Sequence, residues 1–359
     1  MATDAPAAVL TVDLAAIAAN WRDLAARHAP GDVAGVVKAD AYGLGAAPVA
    51  RALRDAGCRS FFVAHLAEGV ALRQALGHGP AIVVLNGFPP GADGDAALWP
   101  ALNTLADVEA WADSARVFGT RHQVLLHLDT GMARLGLDAR EAERLIQDPW
   151  PLAVLDVRYV MTHLACADEP GHPLNAAQAA RFAHLADRLP AARRSFANSS
   201  GIFLGPAFAS DLARPGCALY GINPTPGQPN PMRQAVRLTA PILQVREIEP
   251  GDSVGYAASF TATRPSRIAT VAAGYADGYL RTLSGRSRAM LDGVDVPLVG
   301  RVSMDLLTFD VTDAPAAVAG RHVTLIGDGI TPDDLAAAAG TIGYEILTSL
   351  GPRYRRIYA

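Results

Sequence analysis

The sequence has few cysteines, no membrane-length apolar run and no excess of charge of either sign. Its three cysteines (Cys58, Cys166 and Cys217) are odd in number and lack metal-ligand spacing, which argues against disulfides and predicts no metal site. A net charge of -4 without a basic run argues against nucleic acid as a partner. The N-terminus shows no signal peptide, and no stretch is long enough to span a bilayer. These absences predict a cytoplasmic protein.

What the sequence does contain, from about residue 9 to residue 220, is an alternation of short apolar runs with helical patterns. Eight runs can be distinguished: 33–37, 61–64, 82–85, 100–102, 124–126, 157–161, 195–197 and 211–213. The segments 46–56, 67–76, 105–118, 139–147 and 175–189 have a helical pattern, and Asp13 can cap a helix before the first run. The alternation is typical of a parallel (β/α)8 TIM-type barrel, with an open doubly wound sheet as the alternative.

The pattern changes after a Pro-rich segment at 223–231. Strand-like stretches divided by turns follow at 236–248, 267–273, 289–302, 306–311 and 323–326, with one predicted helix at 332–339. Asp292-Gly293 is the signal of a tight hairpin. The sequence therefore predicts two domains, a (β/α)8 barrel at 1–228 and a mostly β C-terminal domain at 229–359.

Polar or reactive side chains follow nearly every apolar run. They are Lys38, His65, Asn86, Asn103, His127, Asp129, His163, Asn198, Ser199 and Arg214. In a barrel, chemistry takes place where the strands end, so these side chains predict a ring around one pocket. A lysine at the end of a buried strand is either a surface lysine or an amine that forms a Schiff base with a carbonyl cofactor, and Lys38 taken alone favours the surface lysine. The polar residues after the other runs favour the Schiff-base amine. His65, Asn86 and Asn103 are better interpreted as strand-end groups that meet water.

The segment Lys38-Ala39-Asp40-Ala41-Tyr42-Gly43 resembles the lysine motif of barrel-type pyridoxal-phosphate enzymes. Further segments resemble those of the alanine racemases, and the resemblance runs from end to end: 129–136, 162–164, 197–199, 214–216, 254–256, 274–278 and 300–305. It implies a barrel that binds pyridoxal 5'-phosphate, a C-terminal β domain and a head-to-tail homodimer. The implied activity is the interconversion of L- and D-alanine, for the cell wall or for alanine catabolism.

The resemblance implies two catalytic bases, Lys38 and Tyr256. Racemisation removes the Cα proton on one face and returns a proton on the other, so two faces need two bases. Tyr256 belongs to the second domain and reaches the site of the partner subunit, where His163 and Arg214 form a relay that lowers the pKa of the tyrosine. Arg214 also opposes protonation of the cofactor's pyridine nitrogen, where most pyridoxal-phosphate enzymes place a carboxylate.

The resemblance also implies the binding residues. The cofactor-binding set is Lys38, Tyr42, Arg134, His163, Asn198, Ser199, Arg214, Gly216 and Cys217. Ser199 with Gly201, and Gly216 with Cys217, end the seventh and eighth runs, where barrels commonly hold phosphate. The substrate-binding set is Arg134, Met304, Tyr275 and Asp305, in a pocket small enough to prefer a methyl group.

Two positions depart from the pattern of the alanine racemases. His127 stands where many relatives carry a carbamylated lysine that braces the arginine matching Arg134. Pro352 stands where many carry a tyrosine that contacts the phosphate, and Tyr354 is two residues away. These departures leave open a racemase of serine or of several small amino acids. A non-enzymatic pyridoxal-phosphate carrier built on the same barrel is a third alternative, although such carriers lack the second domain.

Overall fold

The computed structural model describes residues 8–190 and 192–359 and divides into two compact units. The barrel unit consists of Ile17–Ala41 and Gly45–Arg233. The C-terminal unit consists of Gln234–Ala359 together with Tyr42–Leu44 and the described residues up to Ala16. The main division therefore falls shortly after the predicted boundary at 228. The N-terminal strand belongs to the C-terminal unit because it pairs with strands there.

The barrel unit is a parallel sheet that returns on itself. Its strands within the described ranges are Asp32–Val33, Gly35–Val36, Ser60–Val63, Ala81–Val84, Trp99–Leu102, Gln123–His127, Asp156–Met161, Arg193–Asn198 and Leu212–Arg214. The first two are halves of one extended segment, which pairs with the last strand on one side and with Ser60–Val63 on the other. The Ala34 amide, at the break, donates to the Ala213 carbonyl at 2.9 Å. The predicted (β/α)8 barrel is thus confirmed.

Helices separate the barrel strands: Leu14–His28, Ala46–Ala56, Leu66–Leu76, Leu105–Phe118, Ala139–Gln147, Trp150–Val154 and Pro173–Ala186. The predicted cap is present, since Asp13 Oδ1 accepts from the Ala16 amide at 2.7 Å. The strands are apolar on both faces because the barrel interior and the helices cover them, as Phe61 and Phe62 show by being fully buried. All strands run in the same direction, so the polar residues that follow them lie on one face of the barrel.

The C-terminal unit is a mixed β structure organised by one long strand, Val236–Ile248. Its first half pairs with Val9–Val12 and His322–Ile326, and its second half pairs with Ser266–Val271. The remaining strands are Ser253–Val254, Phe260–Thr261, Arg288–Leu291, Val294–Pro297, Leu307–Asp310 and Arg355–Tyr358. The hairpin predicted at Asp292-Gly293 is confirmed, with φ of 48° and 83° at its two turn residues.

One prediction for the C-terminal unit was wrong. In addition to the predicted helix, Pro332–Ala339, a second helix runs over Gly343–Ser349. Its start carries no side-chain hydrogen-bonded cap, so the usual N-terminal signal is missing. No helix in the described ranges combines the length and the apolar character needed to cross a bilayer.

Candidate active site

Lys38 stands where the first barrel strand ends, and the backbone after it is left-handed. The φ angles of Ala39, Asp40, Ala41 and Tyr42 are 52°, 53°, 53° and 57°. For residues with a side chain this conformation costs roughly 1–2 kcal/mol each, so it persists only where other contacts impose it. We call Lys38–Gly43 the lysine turn.

Hydrogen bonds within the barrel unit hold the lysine turn. The Ala41 amide donates to the Val37 carbonyl at 2.9 Å, and Asp40 Oδ1 accepts from the Ala46 amide at 2.7 Å. The second bond fastens the turn to the start of the helix Ala46–Ala56. The lysine therefore leaves the strand along a path that the surrounding structure fixes.

The environment of Lys38 favours its neutral form. Burial lowers the pKa of the amine, the positive charge of Arg134 lowers it further, and the carboxylate of Glu68 opposes both. An amine acts as a nucleophile or a base only when it is unprotonated. Lys38 is also the only lysine in the sequence, a signal for a functional amine that motif reading had not used.

Arg134 lies in a loop after the fifth barrel strand that Asp129 organises. Asp129 Oδ1 accepts from the amides of Gly131 and Met132, both at 2.9 Å, and Oδ2 accepts from Ala133 at 3.0 Å. Burial alone would raise the pKa of Asp129, but these amides outweigh it and hold the pKa below its usual value. Arg134 itself is exposed and makes no hydrogen bond to the described residues of the barrel unit, so its guanidinium is available to an anion.

His127, which ends the fifth strand, is neutral. Burial, together with the charge of Arg214, lowers its pKa to about 3. Its Nδ1 lies 2.7 Å from Asn103 Oδ1, and the Asn103 amide group donates to the carbonyls of Leu85 and Ala101. Because this orientation leaves Asn103 Oδ1 as an acceptor, Nδ1 of His127 carries the proton and Nε2 carries a lone pair.

The interpretation of Asn103 as a strand-end group that meets water was wrong. Asn103 is 4% exposed and bridges three strand ends through its side chain. The same interpretation fits His65 and Asn86, which are exposed and lie 3.3 Å apart through their side-chain nitrogens. The sequence carries no signal for this difference, because burial at a strand end depends on the neighbouring strands.

His163 follows the sixth strand and is held by a buried glutamine. Gln178 Nε2 donates to the His163 carbonyl at 2.9 Å and to Thr130 Oγ1 at 3.2 Å, so one side chain joins the loops after the fifth and sixth strands. Burial, followed by the charge of Arg214, places the pKa of His163 well below its usual value. His163 is therefore neutral, and sequence reasoning had not identified Gln178 as its anchor.

Arg214 ends the eighth strand and is 4% exposed. Its guanidinium donates to Ser195 Oγ at 2.6 Å and to the Thr162 carbonyl at 2.5 Å. Burial lowers its pKa to about 10, so it still carries its charge at neutral pH. Arg214 thus places a fixed positive charge beside two neutral histidines.

The residues predicted to hold phosphate lie at the ends of the seventh and eighth strands. Ser199 Oγ accepts from the amides of Gly216 and Ala218 at 3.0 and 3.3 Å. Asn198 Oδ1 accepts from the Gly201 amide at 2.8 Å. Short 3-10 helices begin directly after these residues, at Ser200 and at Cys217, so backbone amides are concentrated at this edge.

Three of the remaining predicted residues lie in one region of the C-terminal unit. The Tyr275 amide donates to the Ser303 carbonyl and the Ala276 amide donates to the Met304 carbonyl, which brings the Tyr275 and Met304 segments together. Asp305 accepts from Arg353 at 2.7 Å, and Arg353 Nε also lies 3.0 Å from the buried Asp277.

Tyr256 and Tyr42 differ sharply in exposure. Tyr256 follows Gly255 in a short 3-10 turn and is 67% exposed. Tyr42 is buried, with its ring 6.1 Å from that of Tyr344. Tyr354, which follows Pro352 by two residues, is also buried, and burial raises the pKa of its phenol.

The barrel residues fit an anionic cofactor. Lys38, Arg134 and Arg214 are basic, and the electrostatic influence of each reaches His163. The carboxylates whose charges act on Lys38 and His127, Glu68 and Asp129, have backbone amides as their partners. A phosphate-bearing aldehyde matches this donor set, since it needs cations, amides and one reactive amine. Among the described residues no group of three His, Cys, Asp or Glu side chains could hold a metal ion.

Comparisons with known proteins agree with this geometry along the whole chain. The family model for the alanine racemase N-terminal domain matches residues 12–224, and the model for the C-terminal domain matches residues 235–358. The alanine racemase of Acidiphilium cryptum is 58% identical over 97% of this chain and 98% of its own length. That of Rhodospirillum rubrum is 53% identical over 99% and 96%.

A solved structure is similarly close. The crystal structure of alanine racemase from Bartonella henselae with covalently bound pyridoxal phosphate superposes with a TM-score of 0.95 at 41% identity, covering 99% of this chain and 100% of that one. Both family models, the two relatives and this structure carry the same family name, alanine racemase. The chain belongs to the alanine racemase family.

Proposed function

We propose that the protein interconverts L- and D-alanine with pyridoxal phosphate held in the barrel. The observation that carries the proposal is Lys38: a single amine at a strand end, with its pKa lowered, near two arginines, Arg134 and Arg214, that form no ion pair with a carboxylate of the described residues. The family supports the reaction, and the Bartonella henselae structure supports covalent attachment of the cofactor.

We assign the cofactor to residues at the C-terminal face of the barrel, with Lys38 as the point of attachment. Ser199 and the Cys217 amide would hold the phosphate, and the Gly216 amide, which donates to Ser199 Oγ in this structure, would have to turn to the phosphate to contribute. Asn198 would fix the loop, with the Tyr42 hydroxyl as a further contact. The bound group supplies an electron sink that makes the substrate Cα proton acidic enough for a side chain to remove. Lys38 binds and later holds the proton on one face of Cα.

The second base in this proposal is Tyr256, on the face opposite Lys38. A free phenol has a pKa near 10, so an efficient base at neutral pH needs a positive neighbour. Since His163 is neutral, the charge that can serve this purpose is that of Arg214, which hydrogen bonds to Ser195 and Thr162 hold in place. The same charge opposes protonation of the cofactor ring.

We assign the substrate carboxylate to Arg134 and to the Met304 amide. The Arg134 guanidinium makes no hydrogen bond to the described residues of the barrel unit and stands on a loop whose amides Asp129 accepts, which suits bidentate binding of a carboxylate. Tyr275 and Asp305 would narrow the entrance so that a methyl side chain is preferred. The limit of this selectivity is about 1–3 kcal/mol for one added hydroxyl, so serine is the substrate that tests it.

Chiral chromatography after incubation with L-alanine or L-serine tests the reaction. We expect rapid D-alanine and little D-serine from protein loaded with pyridoxal phosphate. Comparable amounts of the two products would replace the assignment by a broader racemase. Bound cofactor with no turnover of either substrate would support the carrier alternative, although such carriers lack the second domain that spans residues 235–358 here.

We further propose that two copies form a head-to-tail homodimer in which Tyr256 of one copy serves the barrel of the other. Its support is exposure: Tyr256, Tyr275 and Met304 are 67%, 41% and 54% exposed, which is unusual for large side chains with a binding role. We place the reaction in the cytoplasm, because all three cysteines are free thiols. Its product there would serve the cell wall or alanine catabolism.

Mixing two inactive variants tests the dimer. In a mixed dimer of Lys38→Ala and Tyr256→Phe chains, one barrel keeps Lys38 and receives an intact tyrosine from the other copy. Random reassociation puts such a site in about a quarter of the positions, so activity should return to about a quarter of the wild-type value. If Tyr256 serves its own barrel, mixing restores nothing.

A further inference from the structure

A carboxylate outside the predicted set, Glu68, joins the lysine turn to the loop after the second strand. It is the third residue of the helix Leu66–Leu76. Its Oε1 accepts from the Ala39 amide at 2.7 Å, and its Oε2 accepts from the amides of Ala64 and His65 at 2.8 and 3.0 Å. Three backbone amides from two loops therefore converge on one half-buried carboxylate.

The first of these contacts acts at the residue next to Lys38. Ala39 is the first residue of the lysine turn with a left-handed backbone, at φ 52°. A run of left-handed residues is unfavourable by itself and depends on contacts from elsewhere. Hydrogen bonds to an ionised acceptor are about twice as strong as neutral ones. The carboxylate thus fixes the peptide at which Lys38 leaves the strand.

We propose that Glu68 is a positioning residue for Lys38, which holds the lysine turn against the next loop so that the amine points at the cofactor and at Cα. The inference rests on the proposed function, because it assigns a support to the proposed base. The charge of Glu68 acts on the same amine, since it opposes the lowering of the Lys38 pKa by burial and by Arg134.

The barrel contains a matched control, Glu141. It is the third residue of the helix Ala139–Gln147, where its Oε2 accepts from the Asp138 amide at 3.1 Å. Its Oε1 accepts from the Leu105 amide at 3.0 Å, on the neighbouring helix start. Glu141 therefore ties two adjacent segments as Glu68 does, but its partner is not the lysine turn.

The experiment compares wild-type holoenzyme with Glu68→Gln and Glu141→Gln. Glutamine keeps the shape but turns one oxygen into a donor that faces a backbone N–H. We expect Glu68→Gln to lower kcat by about 10- to 100-fold with a much smaller change in KM, because a misdirected base affects the chemical step more than substrate binding. We also expect less cofactor to be trapped on Lys38 by borohydride at limiting pyridoxal phosphate, measured by mass spectrometry.

Glu141→Gln should lower the unfolding temperature by a similar amount and leave kcat and trapping at wild-type values. The proposal would be overturned if Glu68→Gln kept the wild-type kcat and the wild-type level of trapping. It would also be overturned if Glu141→Gln lost kcat and trapping as much as Glu68→Gln does. If Glu68→Gln does not fold, Glu68→Asp decides, since it keeps the charge but is too short to reach both loops and should lose part of kcat. A wild type that traps cofactor without racemising would refute the proposed function, while trapping would still decide the role of Glu68.

Discussion

The barrel and the C-terminal unit present their candidate residues in opposite ways. In the barrel, Arg214 and Asn103 are each 4% exposed, and hydrogen bonds to neighbouring groups fix the orientation of both side chains. In the C-terminal unit, Tyr256 and Met304 are more than half exposed. A buried, hydrogen-bonded group is oriented before a ligand arrives, whereas an exposed apolar side chain acquires its environment from whatever covers it. The buried groups of the barrel are thus oriented in advance, whereas the exposed side chains of the C-terminal unit would acquire their environment only in the proposed homodimer.

The largest effect in this comparison should come from Lys38→Ala, which removes the reactive group of the barrel. Both the nucleophile and one base are lost, so we expect racemisation to fall by at least about 10⁴-fold. The chain has no other lysine, so borohydride trapping should find no side chain that carries the cofactor. Chiral chromatography and mass spectrometry measure the two losses. Trapping at a second site in the variant would contradict the assignment.

Tyr256→Phe should abolish the proposed contribution of the C-terminal unit to catalysis and leave cofactor binding by the barrel intact. The barrel keeps Lys38, so the absorbance of the bound cofactor should remain. Racemisation should fall by about 10²- to 10⁴-fold, the range for loss of one acid–base group. Phenylalanine preserves the ring and its contacts, which makes the hydroxyl the only change. A variant that racemises at the wild-type rate would refute the two-base assignment and remove the functional reason for the exposure of Tyr256.

Local periodicity predicted most of the fold because the pattern of apolar residues within each helix or strand indicates which of its faces is buried. The helices Ala46–Ala56, Leu105–Phe118 and Ala139–Gln147 coincide with the predicted segments, and so does the strand Val236–Ile248. In these elements the buried face repeats at the period of the backbone, so burial can be inferred from sequence alone. The family motifs likewise located Lys38 and the residues after the strands.

What could not be predicted depends on contacts between distant segments. The strand Val9–Val12 pairs with residues 236–239 and 355–358, and no local pattern encodes a partner so far along the chain. The lysine turn is left-handed although Ala39 and Ala41 have no local preference for that conformation. Its geometry comes from hydrogen bonds to other segments, between Asp40 and the Ala46 amide and between the Ala39 amide and Glu68, and the burial of Asn103 has the same kind of cause.

Asn103→Leu tests whether hydrogen bonding in the barrel matters as much as burial. The substitution removes the acceptor of the Nδ1 proton of His127 and the side-chain donor to the carbonyls of Leu85 and Ala101. We expect the free energy of unfolding to fall by about 1–3 kcal/mol and racemisation by a smaller factor than for Tyr256→Phe. Urea unfolding measures the first effect. The exposed Asn86 provides the control, since Asn86→Leu should change stability by less than about 0.5 kcal/mol.

The smallest expected effect concerns stability and not catalysis. It is the pH dependence that His127 gives to the free energy of unfolding. In the unfolded chain this histidine takes up a proton near its ordinary pKa of about 6.5, whereas in the folded barrel it does so only near about 3. Between these values the unfolded state binds more protons, so the free energy of unfolding falls as the pH falls.

His127→Gln removes this contribution while an amide can still donate to Asn103. The loss of unfolding free energy between pH 7 and pH 4 should therefore be about 1–3 kcal/mol smaller in the variant than in the wild type. Urea unfolding at the two pH values measures it. The same comparison between pH 7 and pH 8, where His127 is mostly neutral even in the unfolded state, should show a difference of less than about 0.3 kcal/mol. His163 also has a lowered pKa, so part of the acid sensitivity remains in the variant. Equal losses in the two proteins would mean that His127 is protonated in the folded barrel, where its charge would then lie beside that of Arg214.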